Sequence, residues 1–266
     1  MNTQFYIPTY DECLEILQEN PQMYFYERKY VIDNYNVSIF GYRHAAFNNF
    51  ILPIINKPDI NALELKGLSF VFGDNRKVYN HYLMLHKFWE LNQYEHSSYE
   101  LYKDEKIKNV TIKEDGFLIT YIMLPSGDII SQTKKSFDGY ENLLANDWLA
   151  KPYYYVFIKE CLENNIQPIF ELVGEKFYVK YKKPDLILTK LRCNKTGKYL
   201  NIKDFETKNI STVKEYNYTI DELLELKKNT IGIEGWIIHF ENDNILKVKT
   251  DWWINEKKKK NKIVSI

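Results

Sequence analysis

The chain has 266 residues, 45% of them hydrophobic and 27% charged, with 36 basic residues against 36 acidic ones. That length allows a large core, the composition is that of a soluble globular chain, and no apolar run is long enough to span a bilayer. Zero net charge removes bulk attraction as a reason to bind a polyanion, so any such binding has to come from a local patch. The start of the chain lacks the basic and apolar regions of a secretion signal. Cys13, Cys161 and Cys193 are odd in number and far apart, with neither zinc spacing nor a disulfide framework. A reduced, cytoplasmic setting in a cell or a virus-infected cell is expected.

In chain order, a helix is predicted over 11–19, with Thr9 or Asp11 as its cap. Short strands follow at 37–42, 68–72, 117–124 and 128–133, the last two joined by a turn at Pro125-Ser126-Gly127-Asp128. The stretch 140–164 reads as two helices broken near Pro152. Strands are predicted at 168–173, 177–181 and 186–191, then a helix over 219–228 with Ile220, Leu223, Leu224 and Lys227 at helical spacing. Strands at 232–240 and 245–249, joined through Glu241-Asn242-Asp243-Asn244, complete the pattern. The lysine run 257–260 reads as a solvated basic tail over 257–266. Paired strands with helices between them predict a single α+β domain built on antiparallel sheets.

Three segments carry candidate chemistry. In Thr111-Ile112-Lys113-Glu114-Asp115-Gly116-Phe117, a lysine follows a β-type dipeptide, and Gly116 lets the chain reverse into the next strand. This would hold the Lys113 amine at the mouth of a sheet, where burial or neighbouring cations lower its pKa and make it nucleophilic. Glu171, in Phe170-Glu171-Leu172-Val173, is a carboxylate inside an apolar strand and needs a partner if buried. Glu234 opens another strand in Glu234-Gly235-Trp236. Lys247 and Lys249 alternate onto one face of their strand. They repel each other unless an anion lies between them, and a nucleoside triphosphate is a candidate. The five histidines show no metal spacing, and the tryptophans read as core.

The order K-E-D-G, F-E-L-V, E-G-W, L-K-V-K resembles that of the covalent nucleotidyltransferases, which comprise DNA ligases, RNA ligases and capping enzymes. Within them the chain is most similar to the RNA ligase 1 family, typified by the tRNA-repair ligase of T-even phages. The similarity includes Ile39-Phe40-Gly41-Tyr42 through Phe50-Ile51-Leu52-Pro53, Lys66-Gly67-Leu68-Ser69-Phe70 and His86-Lys87-Phe88-Trp89-Glu90-Leu91-Asn92. It extends to Asn194-Lys195-Thr196-Gly197-Lys198-Tyr199 and Lys249-Thr250-Asp251-Trp252-Trp253. It covers roughly residues 24–253.

The resemblance implies an ATP-grasp-like ligase adenylation domain over residues 1–256, with the family's helical C-terminal domain absent. It implies an ATP-dependent RNA ligase that joins 5′-phosphate and 3′-hydroxyl ends through a lysyl–AMP on Lys113, in RNA or tRNA repair. An end-healing kinase/phosphatase would be a candidate partner. Tyr42, Lys66, Lys87, Lys113, Glu171, Lys247 and Lys249 would contact ATP. Asp115, Gly116, Lys134, Glu234 and Gly235 would complete the site, and Mg2+ or Mn2+ would be held through water by Glu171 and Glu234. Lys66 stands where the family has arginine and lacks its bidentate fork. Alternatives are a DNA ligase, a capping guanylyltransferase, or an RNA-end-binding protein without catalysis.

Overall fold

A computed structural model describes residues 5–20, 24–43, 46–51, 57 and 60–264. Leu52, Pro53 and His44 lie outside the described residues. The strands are β1 (Phe25–Ile32), β2 (Tyr35–Tyr42), β3 (Leu68–Phe72), β4 (Val78–Tyr82), β5 (Trp89–Glu90), β6 (Ile107–Lys113) and β7 (Phe117–Met123). They continue as β8 (Ile129–Thr133), β9 (Ile166–Val173), β10 (Asp185–Cys193), β11 (Tyr199–Leu200), β12 (Glu215–Tyr216), β13 (Gly235–Phe240) and β14 (Ile245–Lys249). The α-helices are α1 (Tyr10–Glu19), α2 (Phe47–Ile51), α3 (Tyr99–Tyr102), α4 (Tyr140–Asn146), α5 (Pro152–Glu163), α6 (Ile220–Asn229) and α7 (Asp251–Val264).

Three sheets result, in the orders β1-β2-β3-β4, β11-β10-β9-β7-β8 and β12-β6-β13-β14-β5. Every strand pair is antiparallel except the short β5·β14 contact. This is the expected α+β arrangement. Helix starts follow local chemistry. Thr9 and Glu12 form a capping box at α1, Thr219 and Glu222 another at α6, and Pro152 occupies the first turn of α5.

Each sheet buries its outer face under helices. Tyr154, Ile158 and Leu162 of α5 pack on Tyr121, Phe170 and Leu186. Ile16 of α1 packs with Phe40, Leu68 and Phe70. Leu223 of α6 packs with Trp236, Ile238 and Val248. The inner faces of the β9-containing and β13-containing sheets meet over Leu85, Phe88, Ile169, Ile237 and Ile245, with Leu118 beside them. That apolar contact floors a cleft between the two sheets.

Two predicted elements differ. Residues 177–181 form bends and irregular backbone, not a strand, because Tyr178 and Val179 give their N–H groups to the Asp115 carboxylate instead of to a neighbouring strand. The lysine run 257–260 lies inside α7, started by Thr250, whose hydroxyl accepts from Trp253 N at 3.1 Å.

Candidate active site

The cleft is organised by the register of three strands. Lys113, the last residue of β6, lies opposite Gly235, which lies opposite Lys249 on β14. The next row towards the floor is Thr111, Ile237 and Lys247. A Cβ on Gly235 would stand 2.0 Å from the Val248 carbonyl oxygen, so only glycine lets β13 and β14 close here. Glu234, immediately before it, is 4% exposed and pairs with both lysines, at 2.6 Å to Lys113 Nζ and 3.2 Å to Lys249 Nζ. Across the cleft, Leu118 of β7 pairs with Glu171 of β9. A Cβ on Gly116 would come within 2.4 Å of the Leu172 carbonyl oxygen, so glycine sets how closely the Lys113 turn approaches β9.

The cavity so formed has a volume of about 720 Å3. Lys66, Lys87, Lys113, Lys134, Lys247 and Lys249 line it, with Tyr42, Glu171 and Glu234. Tyr42 lies under the Lys87 ammonium, 5.1 Å from ring centre to Nζ, and its hydroxyl is 3.4 Å from that nitrogen. Lys66 and Lys247 both sit over the Phe88 ring, at 4.9 and 5.7 Å.

Burial, reinforced by mutual repulsion, lowers these lysines. Lys247 is brought down to about 7 by burial first and then by Lys249, Lys87 and Lys113. Lys66 is driven well below its ordinary value by burial, then by Lys247 and Lys134. Lys87, Lys134 and Lys249 move the same way, burial again leading. Burial lifts Glu171 to about 8, although Lys113 pulls it down. Lys113 differs from the other lysines. Burial is its largest single influence and disfavours the charge, but Glu234 and Glu171 together outweigh it and raise the ammonium above its ordinary value. The sequence-based expectation that neighbouring lysines free the Lys113 amine is therefore corrected. Glu234 and Glu171 hold it charged.

Asp115 and Gly235 are absent from the cavity wall. Asp115 is 6% exposed and clamps the segment 174–184: its Oδ2 accepts from Tyr178 N at 2.9 Å and Val179 N at 3.1 Å. Glu171 and Glu234 of the predicted metal pair both line the cavity, with Glu114 and Glu141 also in its wall, and no cluster of three or more potential metal-ligating side chains occurs among the described residues. The donor set fits a cation that arrives with phosphate oxygens and water, not a closed protein cage.

Further polar residues lie in the cavity wall without having been singled out, among them Arg28, Glu141, Thr111, Thr189, Lys190 and His239. His239 lies two residues past the floor residue Ile237 along β13, while Thr111 and Lys190 pair with the floor residues Ile237 and Ile169. Lys190 is buried, brought down to about 7 by burial against the pull of Glu215, and its Nζ has only a 3.4 Å contact to Thr111 Oγ1. His239 Nε2 is buried with no hydrogen-bond partner. One signal was present: Lys190 interrupts the apolar run 186–191, as Glu171 interrupts its own strand. The cavity thus has a cationic end, an apolar waist and a polar far wall, the profile of a slot for a nucleoside polyphosphate.

Antiparallel sheets, brought close at two glycines, thus enclose a lysine-lined cleft. Two solved structures of archaeal ATP-dependent RNA ligase share the fold. Form 1 superposes with TM-score 0.61 at 12% identity, over 91% of this chain and 62% of that one. Form 2 gives 0.58 at 14% identity, over 84% and 58%. The family model described as RNA ligase matches residues 67–262, and the chain belongs to that family. A Thermovibrio ammonificans protein called "Putative RNA ligase" is 28% identical over 230 residues, 80% of this chain and 56% of the relative. The chain therefore spans little more than half of that relative's length. No described helix is long and apolar enough to cross a membrane.

Proposed function

We propose that the chain catalyses ATP-dependent joining of RNA ends, with Lys113 as the residue that carries AMP, and that residues 1–256 form the adenylyltransferase unit. The observation that carries this reading is the Lys113–Glu234 pair at 2.6 Å inside a cleft whose other lysines lack enough counter-charge. A triphosphate brings the missing anions to Lys66, Lys87, Lys134, Lys247 and Lys249, and its base extends over the apolar waist. Nζ of Lys113 gives a proton to Glu234 and attacks the α-phosphorus. A P–N bond forms, the bond to the bridging oxygen breaks, and pyrophosphate leaves, taking up the second proton released from the amine. The 5′-phosphate of an RNA end then takes AMP from the lysine. A 3′-hydroxyl displaces AMP in the last step, closing the phosphodiester bond. Each step is an in-line displacement in which charge neutralisation and positioning dominate. A divalent cation, Mg2+ or Mn2+, would enter with the triphosphate and neutralise charge, with Glu171 and Glu234 holding its water shell.

Repair of broken RNA such as tRNA is the process this activity serves, with a kinase/phosphatase preparing the ends. The test is incubation with α-labelled ATP and a divalent cation, followed by denaturing electrophoresis, beside Lys113→Ala. The wild type takes label and the variant does not. A labelled Lys113→Ala protein overturns the assignment. Label from GTP alone indicates a capping enzyme. RNA binding without label from either nucleotide indicates a binding protein.

A further inference from the structure

A second set of cations lies beside the cleft and outside it. The Lys113 turn itself holds the segment 174–184 in place. Besides the Asp115 carboxylate bonds, Asp115 N donates to the Tyr181 hydroxyl at 2.9 Å, and that hydroxyl donates to Glu114 at 2.8 Å. Tyr178 meets Trp253 of α7 edge-on, with ring centres 5.7 Å apart. Two lysines approach the Trp253 ring, Lys249 from the cleft at 4.0 Å and Lys257 from the helix at 5.1 Å. Lys260 lies 5.4 Å over Tyr178. The two rings are thus a seam between the cleft's lysines and those of α7.

The charge on this seam is uncompensated. The segment 174–184 carries Lys176, Lys180, Lys182 and Lys183 against Glu175 alone. In α7, Glu256 takes Lys259 and Asp251 takes Lys227, which leaves Lys257, Lys258 and Lys260. None of these seven lysines forms an ion pair among the described residues. Lysines near a helix C-terminus are favoured by the helix dipole. The run in α7 (Asp251–Val264) lies ahead of the last turn, where that effect acts, so the dipole explains neither the run nor the cations of the second element and their continuity with Lys249 across one ring. The chain as a whole is neutral, so this concentration is local.

We infer that α7 and the segment 174–184 form a docking surface for the phosphodiester backbone of the single RNA strand whose end enters the cleft. Lysines placed over aromatic rings keep their stems packed and their ammonium groups free for phosphate. The delivery of an end rests on the ligase reading, whereas the binding itself does not.

The experiment measures affinity for a short 5′-phosphorylated single-stranded RNA across a salt series, beside labelling by ATP. Lys257→Gln/Lys258→Gln/Lys260→Gln removes three exposed charges from a helix, and Lys182→Gln/Lys183→Gln removes two from the loop. At about 0.7 per phosphate contact on a single strand, the slope of log affinity against log salt should fall by about 2 and about 1 respectively. Labelling of Lys113 should be unchanged in both. Unchanged slopes in both variants overturn the docking surface. Falling slopes in a protein whose wild type takes no label would keep the surface and remove the ligase reading.

Discussion

Glu64 is two residues before Lys66, and its carboxylate meets Arg192 of β10 in a fully enclosed pair. The distances are 2.9 Å from Nη1 and 2.7 Å from Nη2, with the side chains 2% and 0% exposed. Arg192 also donates from Nε to the Gly197 carbonyl at 2.9 Å and from Nη1 to the Met84 carbonyl. Burial works against this guanidinium, but Glu64 outweighs it and holds the charge firmly in place. Glu64→Gln keeps the shape and removes the counter-charge, leaving a buried cation with carbonyl partners only. Removing one partner of such a pair costs about 3–5 kcal/mol. For a chain of this size each kcal/mol lowers the melting temperature by about 2 °C, so calorimetry should show a fall of about 6–10 °C. Glu64→Leu with Arg192→Met removes both charges and should recover most of the loss. Lys66 N donates to the Glu64 carbonyl at 2.6 Å, so the single variant should also raise the ATP concentration needed for half-maximal labelling. A Glu64→Gln protein that melts within about 2 °C of wild type would refute this account of the pair as a keystone.

The cleft should take up protons when it binds a polyphosphate. Lys247 titrates near 7 and is mostly neutral at pH 8, and a bound anion restores its charge. Calorimetry in buffers of different ionisation enthalpy should therefore report uptake of about one proton at pH 8, lost in Lys247→Met. Buffer-independent heats would contradict it. The same depression has a stability consequence, because the unfolded lysine titrates near 10.5 and binds more protons than the folded one between 7 and 10.5. Wild-type stability then gains from this residue as pH rises through that window. Lys247→Met should melt higher than wild type at pH 7, with the gap closing towards pH 10.5. Gly116→Ala pushes a methyl group against the Leu172 carbonyl and displaces the Lys113 turn. Its labelling rate should fall about a hundredfold, while circular dichroism shows the fold retained; a rate near wild type would show that β9 gives way. Lys190→Met and His239→Phe should narrow the preference between ATP and GTP in the labelling assay. An unchanged ratio would mean that the far wall of the cavity does not meet the base.

Much of this was legible in residues whose pattern is local. The bounds of β3 follow from a short, mostly apolar run and those of β14 from apolar alternation, and the sharing of one face by Lys247 and Lys249 follows from strand period alone. The chain's capping residues announced α1 and α6. The strand that carries Lys113 was harder, because Ile107–Lys113 buries only Val110 and Thr111 fully and shows little contrast between its faces. The segment 177–181 has strand-like residues, but Asp115 takes the hydrogen bonds a strand would need. The role of Asp115 as a clamp and the far-wall position of His239 depend on contacts between remote segments, which no local pattern carries. The sign of the Lys113 shift was also beyond reach, since cations and carboxylates both converge on it and only distance decides between them.

The ligase reading proposed above accounts for a carboxylate that anion binding alone leaves unexplained. A protein that only grips phosphate needs cations, and the lysines of this cleft, left short of counter-charge, would serve it. It has no use for a buried carboxylate joined to one of those lysines, because Glu234 weakens the field that attracts phosphate. Glu234 nonetheless bridges Lys113 and Lys249 from a position where Gly235 forces close strand approach. Such a carboxylate is useful when one amine must surrender its proton while its neighbours keep theirs. An arriving triphosphate competes for Lys249 and raises the charge on the other lysines. In the proposed reaction this leaves Glu234 to Lys113 alone, as the acceptor of its proton. A Glu234→Gln protein should bind ATP at least as tightly as wild type and yet take label far more slowly, and equal rates would leave the carboxylate without a part in the chemistry.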